Sequence, residues 1–176
     1  ASAITSASNT FTLNAADETD GILVVKGAAG VNTITMSGSD QGDTITLGGL
    51  DDIIKVATAN LTADDTIAGG AGTDTIKLTD SSTVVDADFS KITSVEKIKQ
   101  ETSSNDFTLT LDAAAFAAGI VSADAGTGTN LFTVGSGYTG ALAVTLNAGS
   151  DTINASAQTS GSLIVSVAQD SITSAD

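Results

Sequence analysis

The sequence predicts an all-β fold, a parallel β-solenoid in which short strands stack coil upon coil. A short pattern recurs along the chain: Asp or Asn, usually Thr, then Ile or Phe, as in Asp43-Thr44-Ile45 and Asp74-Thr75-Ile76. Apolar residues two apart follow most copies, such as Ile76 and Leu78, and this is the period of a strand with one buried face. Gly-rich turns precede most copies, and glycine supplies the positive φ angles of tight turns.

The distances between the copies indicate the length of one coil. Asp43 and Asp65 lie 22 residues apart, and so do Asp52 and Asp74. A coil of about 20–22 residues with two unequal strand–turn halves explains both distances, whereas a β-sandwich requires no such regularity. The strand-like runs predict about fifteen short strands along the chain.

We expect a single continuous domain over residues 1–176, belonging to a longer chain, because no Pro-rich or Gly/Ser-only linker divides it. The segment 27–77 is the most regular, and degenerate coils are expected over 120–176, with Tyr138 at a turn or on the surface. Between them, 86–119 has the pattern of an irregular insertion. Inside that segment Asp112–Gly119 predicts one short helix, because Asp can cap its start, Ala fills it and Gly can end it.

The composition excludes several classes of function. The chain has six Lys, no Arg, no His and no Cys, and its net charge is −15. It therefore lacks the residues for a Ser–His–Asp triad, a Cys nucleophile, or a metal held by His or thiolate. The negative charge argues against nucleic acid as a partner, and no apolar run is long enough for membrane insertion. Of the 21 acidic residues three are Glu, so the short Asp side chains that turns favour predominate.

Residues 69–77 carry the most informative motif. Their sequence, GGAGTDTIK, fits the nonapeptide pattern G-G-x-G-x-D-x-U-x at every specified position, where U is a large apolar residue. Degenerate copies place Asp43, Asp52 and Asp65 at the sixth position of the pattern, and a later copy places Asp151 there. The segment resembles the RTX, or haemolysin-type calcium-binding, repeat family. The resemblance implies stacked half-coils that hold Ca²⁺ between their Gly-Asp turns.

The implied site uses chemistry that suits calcium. Ca²⁺ takes about six to eight hard oxygen ligands, and a tight turn leaves carbonyl oxygens free to supply some of them. The residues that match the family's ligands are Asp43, Asp52, Asp65, Asp74 and Asp151 as carboxylates, with Gly70 and Gly72 in the carbonyl-bearing turn. Asp43 would stack over Asp65 on one edge of the solenoid, and Asp52 over Asp74 on the other. The alternative is that these residues cap turns by side-chain-to-backbone hydrogen bonds, without a metal.

A second resemblance concerns the setting of the chain. The segment from Phe89 to Ile98 fits F-x-x-[IV]-x-x-[VF]-E-x-[IL], a pattern similar to segments of large RTX-containing bacterial surface-layer and surface-adhesion proteins. We therefore expect a secreted, structural protein at the bacterial cell surface, a calcium-stabilised solenoid of a surface layer or self-assembling filament. Its expected partners are like subunits and cell-surface polysaccharide.

Two other functions remain open at this stage. The chain could be a tandem binding module of a large adhesin, or a non-catalytic accessory module of a secreted enzyme. Catalysis by a carboxylate pair such as Asp51 and Asp52 is disfavoured, because adjacent residues on a strand point to opposite faces. Aromatic residues, which stack on sugars, make up 3% of the chain. We therefore expect no enzyme activity.

Overall fold

A computed structural model describes residues 10–19, 21–36, 38, 41–101 and 104–167 of the chain. The described part is an all-β parallel solenoid of about seven coils with one short α-helix, which confirms the predicted fold class. Three parallel sheets form its faces. Sheet A contains eight strands, and each coil connects one of them to the next, while sheets B and C contain four strands each.

The strands are short and are numbered in chain order. Sheet A consists of β1 (Phe11–Asn14), β3 (Asn32–Thr35), β5 (Ile53–Val56), β7 (Thr75–Leu78), β10 (Lys97–Gln100), β12 (Ser122–Asp124), β14 (Ala141–Leu146) and β16 (Ser162–Val167). Sheet B consists of β2 (Val24–Lys26), β4 (Thr44–Thr46), β6 (Thr66–Ala68) and β9 (Ile92–Thr93). Sheet C consists of β8 (Ser82–Val84), β11 (Phe107–Leu111), β13 (Asn130–Val134) and β15 (Asp151–Asn154). The helix α1 spans Ala113–Ala118, and 3₁₀ turns span Thr58–Asn60 and Asp86–Phe89.

The chain returns to sheet A once in every coil. Between β1 and β7 the intervening strands lie in sheet B, and from β10 onward they lie in sheet C. The coil between β7 and β10 contributes to both sheets, through β8 and β9. Residues 86–119, which have the sequence pattern of an insertion, hold strands of all three sheets, so the stack of coils continues through this segment.

The register of sheet A gives the relative length of each coil. Ile53 pairs with Thr75 and Thr75 pairs with Lys97, so these two coils are equal in length and match the spacing between Asp52 and Asp74. Thr33 pairs with Ile53, so the coil before them is slightly shorter. Lys97 pairs with Ser122, and this coil, which carries α1, is longer than the two before it. The regular coils therefore have the predicted length, and the coil that contains α1 is longer.

Ladders of aliphatic side chains fill the interior. Ile54, Ile76 and Ile98 stack in register on the inner face of sheet A and are fully buried. Their β-branched side chains fit a pleated surface, and burial of each contributes about 2–3 kcal/mol. Tyr138, expected at a turn or on the surface, is also fully buried, and its hydroxyl donates a hydrogen bond to the carbonyl oxygen of Ile120.

Helix α1 forms where the sequence predicts it, but its N-terminal cap differs from the expected one. The helix ends at Gly119, which has the left-handed φ of 102°. The Asp112 side chain makes no capping hydrogen bond; the carboxylate of Asp86, from the preceding coil, accepts the Ala115 N–H at 2.9 Å. The Asp112 carboxylate instead accepts the N–H of Gly137 in the next coil. Carboxylates therefore bridge neighbouring coils of the stack.

Some copies of the sequence pattern lie outside the described residues. These are Asn9, which opens the first copy, and Asp170–Ile172, the last. Ser39 and Asp40, which precede Asp43 in the sequence, also lie outside the described ranges.

The turn position two residues before Asp52 has a strained backbone. Leu50 has a φ of 65°, and Gly72 and Ser94, which occupy the same position in the next two coils, have φ values of 140° and 53°. Leu50 is 56% exposed, so its side chain contributes little packing. A left-handed conformation costs a non-glycine residue about 1–2 kcal/mol.

We expect Leu50→Gly to raise the free energy of unfolding by about 0.5–1 kcal/mol, because relief of the strain exceeds the added entropy of the unfolded chain. Urea denaturation followed by circular dichroism measures the change. Leu131→Gly is the matched control, since Leu131 is also partly exposed but lies within β13, where glycine weakens a strand. Destabilisation by Leu50→Gly would contradict the prediction.

Candidate metal centre

Four polar residues form a continuous ladder along the edge of the solenoid where the strands of sheet A begin. We call Asn32, Asp52, Asp74 and Glu96 the A-edge ladder. The Asn32 N–H donates to Asp52 Oδ1 at 2.6 Å, the Asp52 N–H to Asp74 Oδ1 at 2.8 Å, and the Asp74 N–H to Glu96 Oε2 at 2.8 Å. Asn32, Asp52 and Asp74 are fully buried. Each carboxylate therefore joins its own coil to the preceding one.

A second ladder lies where the strands of sheet B begin, and we call Asp43 and Asp65 the B-edge ladder. The Leu23 N–H donates to Asp43 Oδ1 at 2.8 Å, and the Asp43 N–H donates to Asp65 Oδ1 at 2.7 Å. The other oxygen of Asp65 accepts the Thr62 N–H at 2.7 Å. The predicted stacking of Asp43 with Asp65 and of Asp52 with Asp74 is thus confirmed, each pair on its own edge.

Where an amide side chain occupies such a position, it closes its own turn. The Asn32 Nδ2 donates to the carbonyl oxygens of Ala28 at 3.0 Å and Gly30 at 2.7 Å, and to Asp52 Oδ1 at 2.9 Å. The amide nitrogen therefore holds two turn carbonyls and the carboxylate of the next coil together.

Asn130 repeats the amide contacts of Asn32 where β13 of sheet C begins, although its buried Oδ1 has no hydrogen-bond partner, whereas the Asn32 Oδ1 accepts the Ala28 N–H at 2.9 Å. The Asn130 Nδ2 donates to the carbonyl oxygens of Gly126 and Gly128, at 3.1 and 3.0 Å, and to Asp151 Oδ1 at 2.6 Å. The predicted ligand Asp151 thus accepts a hydrogen bond from a neutral amide of the preceding coil. An asparagine amide supplies donors at these two turns.

The carboxylates of Asp52 and Asp74 have no amide hydrogens of their own to donate to their turns. The Oδ2 atom of each is buried and accepts no well-aligned hydrogen bond, although a backbone hydrogen bond from Gly48 lowers the pKa of Asp52. The Asp74 Oδ2 lies against its own turn, since a Cβ on Gly69 would be 2.5 Å from it. An ionised carboxylate accepts but cannot donate, and a buried acceptor without a donor costs about 1–3 kcal/mol, more when it is charged. The binding of a proton or a cation to these two oxygen atoms would therefore be favourable.

The electrostatics of the A-edge ladder support this interpretation. Burial, together with the nearby charges of Asp52, Glu96 and Asp51, raises the pKa of Asp74 to about 6, although the hydrogen bond from the Asp52 N–H opposes the rise. Burial also raises the pKa of Asp52, and hydrogen bonds from the Asn32 backbone and side chain oppose that rise. Burial raises the pKa of Asp65, which hydrogen bonds from Thr62 and Asp43 partly offset. The carboxylates thus carry charge in a setting that disfavours it.

The glycine turn beside Asp74 brings backbone oxygens to the same edge. Gly70 and Gly72 have φ values of 106° and 140°, and the Ala71 N–H donates to the Gly48 carbonyl oxygen at 3.0 Å. A Cβ on Gly70 would be 2.1 Å from the Gly48 oxygen, and one on Gly72 would be 2.4 Å from the Leu50 oxygen. Carbonyl oxygens of one coil therefore touch the turn of the next.

The described residues contain no group of three or more acidic side chains arranged to hold a metal ion. A cation at the A-edge ladder would take two carboxylates, Asp52 and Asp74, and would draw its other ligands from carbonyl oxygens and water. Calcium accepts such mixed oxygen sets, whereas metals that prefer nitrogen or sulfur ligands do not.

Two members of these edges were not identified from the sequence. Glu96 extends the ladder by one further coil beyond Asp74, and the coil spacing alone could have found it. Asp51 accepts the Thr73 N–H at 2.8 Å and adds a second coil-to-coil bond beside the ladder. The sequence does not reveal this coil-to-coil hydrogen bond, because Asp51 directly precedes Asp52 and the two read as an adjacent carboxylate pair.

Within the described ranges, no helix has the length and apolar character needed to cross a membrane. No protein-family model matches the chain, and neither do curated proteins or solved structures.

Proposed function

We propose that this chain is a structural segment of a secreted bacterial surface protein, a parallel β-solenoid that calcium stabilises at its A-edge ladder. The observation that carries the proposal is the pair of buried carboxylate oxygens, Asp52 Oδ2 and Asp74 Oδ2, to which no well-aligned donor points. The nonapeptide motif at residues 69–77 supports the choice of calcium.

Asn and Asp at equivalent positions of the coils differ in how they close their turns. Asn32 and Asn130 close their turns with an amide nitrogen that reaches two carbonyl oxygens. Asp74 lies after a turn of the same length as that of Asn32, with Gly70 and Gly72 at the positions whose carbonyls the Asn32 amide binds. A divalent cation can do for a carboxylate what the amide hydrogens do for Asn, because it attracts several oxygens at once.

The predicted ligands differ in how well they suit a cation. Asp52 and Asp74 are the strongest, with the turn at Gly70 and Gly72 beside them. Both oxygens of Asp65 accept hydrogen bonds, so the B-edge ladder fits turn capping as well as it fits a metal. Asp151 accepts two hydrogen bonds from Asn130, from its backbone and its amide, and is the weakest candidate.

The expected affinity suits a switch between compartments. Extracellular calcium modules bind with dissociation constants of about 10⁻⁴–10⁻³ M. At free calcium about tenfold above that constant, one site adds ~1.4 kcal/mol to the free energy of unfolding. The same site would be nearly empty at cytosolic calcium. Such a chain would become fully stable after export.

A calcium titration tests the proposal. We expect the melting temperature, followed by circular dichroism, to rise by about 3–10 °C between EGTA and about 10 mM calcium, and EGTA to reverse the rise. Magnesium is the control, since it demands near-ideal octahedral geometry and gives up its water reluctantly. An unchanged melting temperature across the titration would refute calcium binding.

Self-association with like subunits is the second part of the proposal. At the C-terminal limit of the described residues, the last strand of sheet A leaves Ile164, Val165 and Val167 between 43% and 60% exposed. A strand edge with exposed apolar side chains is a template for pairing with another chain. Sedimentation velocity across a range of protein concentrations tests this part, and a single monomer species throughout would refute it.

A further inference from the structure

The outer face of sheet A concentrates most of the positive charge of the chain. The face carries Lys55, Lys77, Lys97 and Lys99, four of the six lysines in the sequence. The register places Lys55 beside Lys77 and Lys77 beside Lys99, so three lysines stack on three successive coils. We call these three residues the lysine row.

The flanking positions show that lysine is not the default choice here. Thr35 precedes the lysine row in register, and Asp124 and then Thr145 follow it. Strands in such a sheet lie about 4.8 Å apart, and like charges directly opposite each other on neighbouring strands are destabilising. The row therefore carries a repulsion that threonine would avoid.

Acidic residues neutralise the row at its margins. Lys55 forms an ion pair with Glu101, and Lys97, beside the row, forms one with Asp124. Within the described part of the chain, Lys77 and Lys99 make no ion pair. The centre of the face thus presents two adjacent ammonium groups to an incoming ligand.

We propose that the lysine row binds a linear anionic polysaccharide laid along the axis of the solenoid. A polymer with regularly spaced acidic groups matches a straight row of charges that repeats on each coil. A second copy of this chain fits less well, because exposed acids such as Asp51 and Asp106 are followed in the next coil by threonines, Thr73 and Thr129, and not by further acids. Mobile ions screen the distant negative charges beyond about 8 Å at physiological salt, whereas the row acts at contact.

The test is binding to immobilised polygalacturonate, a linear polymer with a carboxylate on every sugar, measured by surface plasmon resonance at about 0.15 M salt. We expect the double variant Lys77→Thr, Lys99→Thr to weaken binding by about tenfold or more, since two charge contacts are lost. The matched control is Lys26→Thr, Lys91→Thr, which removes the same charge on the sheet B side and should change binding less than about twofold. Threonine occupies neighbouring positions of the row, so both variants should keep the fold, and melting curves check this.

Neutral dextran should not bind, and about 0.5 M salt should abolish polygalacturonate binding. Equal binding by the lysine-row variant and the control would overturn the proposal. A second result would also overturn it: the wild type self-associates, Lys77→Thr, Lys99→Thr abolishes that association, and polygalacturonate does not bind. The face would then dock a second copy. Measurements both in EGTA and in calcium keep this test separate from calcium binding, which has its own thermal readout.

Discussion

Replacing Asp74 with Asn is expected to stabilise the chain in EGTA and to remove most of its stabilisation by calcium. In EGTA, Asp74 holds a buried charge with one oxygen that no donor reaches. The amide introduced by Asp74→Asn could donate to turn carbonyls and to Glu96, as the amide of Asn32 does to its turn and to Asp52. The side-chain oxygen of the introduced Asn can still accept the Asp52 N–H.

We expect a gain of about 1–2 kcal/mol in EGTA, which corresponds to about 3–6 °C in melting temperature for a chain of this size. In calcium the same variant should lose its response, because the cation loses one of its two carboxylates. The variant should therefore be more stable than the wild type in EGTA, and in calcium the wild type should equal or exceed the variant. Paired thermal melts followed by circular dichroism measure this crossover.

Asp64→Asn is the matched control, since it removes the same charge from a side chain that is 79% exposed. It should change both melting temperatures by less than about 2 °C. If Asp74→Asn instead lowers the melting temperature equally in EGTA and in calcium, Asp74 acts as an N–H acceptor alone and the A-edge ladder is a metal-free cap.

The pKa of Asp74 gives a related expectation for the calcium-free chain. A carboxylic acid whose pKa rises from 3.8 to about 6 on folding binds its proton more tightly in the folded state. The free energy of unfolding should therefore fall as the pH rises from about 4 through 6, and level off above that range. Urea denaturation in EGTA at pH 5 and pH 7.5 should show the greater stability at pH 5. Asp74→Asn should reduce this difference, and an undiminished pH dependence in the variant would contradict the assignment.

The sequence predicts contacts between coils of constant length, but it does not reveal contacts that span a coil of irregular length. The constant spacing was enough to place Asp52 beside Asp74, because a parallel stack converts a constant sequence distance into contact. The cap of α1 could not be found in this way, since Asp86 lies farther from Ala115 in sequence than the regular coil spacing. Tyr138 closes the turn after β13, as expected, but it is buried beside Phe116 and not exposed. That packing joins separate coils, so the local sequence pattern does not reveal it.

The largest loss of stability is expected from a single methyl group on Gly70. Gly70 has a φ of 106°, and its Cβ would lie 2.1 Å from the Gly48 carbonyl oxygen of the preceding coil. No heavy-atom pair tolerates that distance without bonding, and the obstacle is backbone, which cannot rotate away. Relief would require the turns of two coils to separate, with loss of the hydrogen bond from the Ala71 N–H to the Gly48 oxygen.

We expect Gly70→Ala to lower the free energy of unfolding by about 3 kcal/mol or more, through strain at a left-handed position together with the steric clash. Gly49→Ala is the matched control, because a Cβ there meets nothing closer than 3.7 Å, so it should cost less than about 1 kcal/mol. Urea unfolding in calcium and in EGTA measures both variants. If Gly70→Ala is too unstable for urea denaturation, the two variants are compared instead by the fraction of each that is soluble and folded. Similar stability of the two variants would mean that the turns of adjacent coils lie farther apart than the A-edge ladder requires, and a cation could not bridge Asp52 and Asp74 with the turn carbonyls.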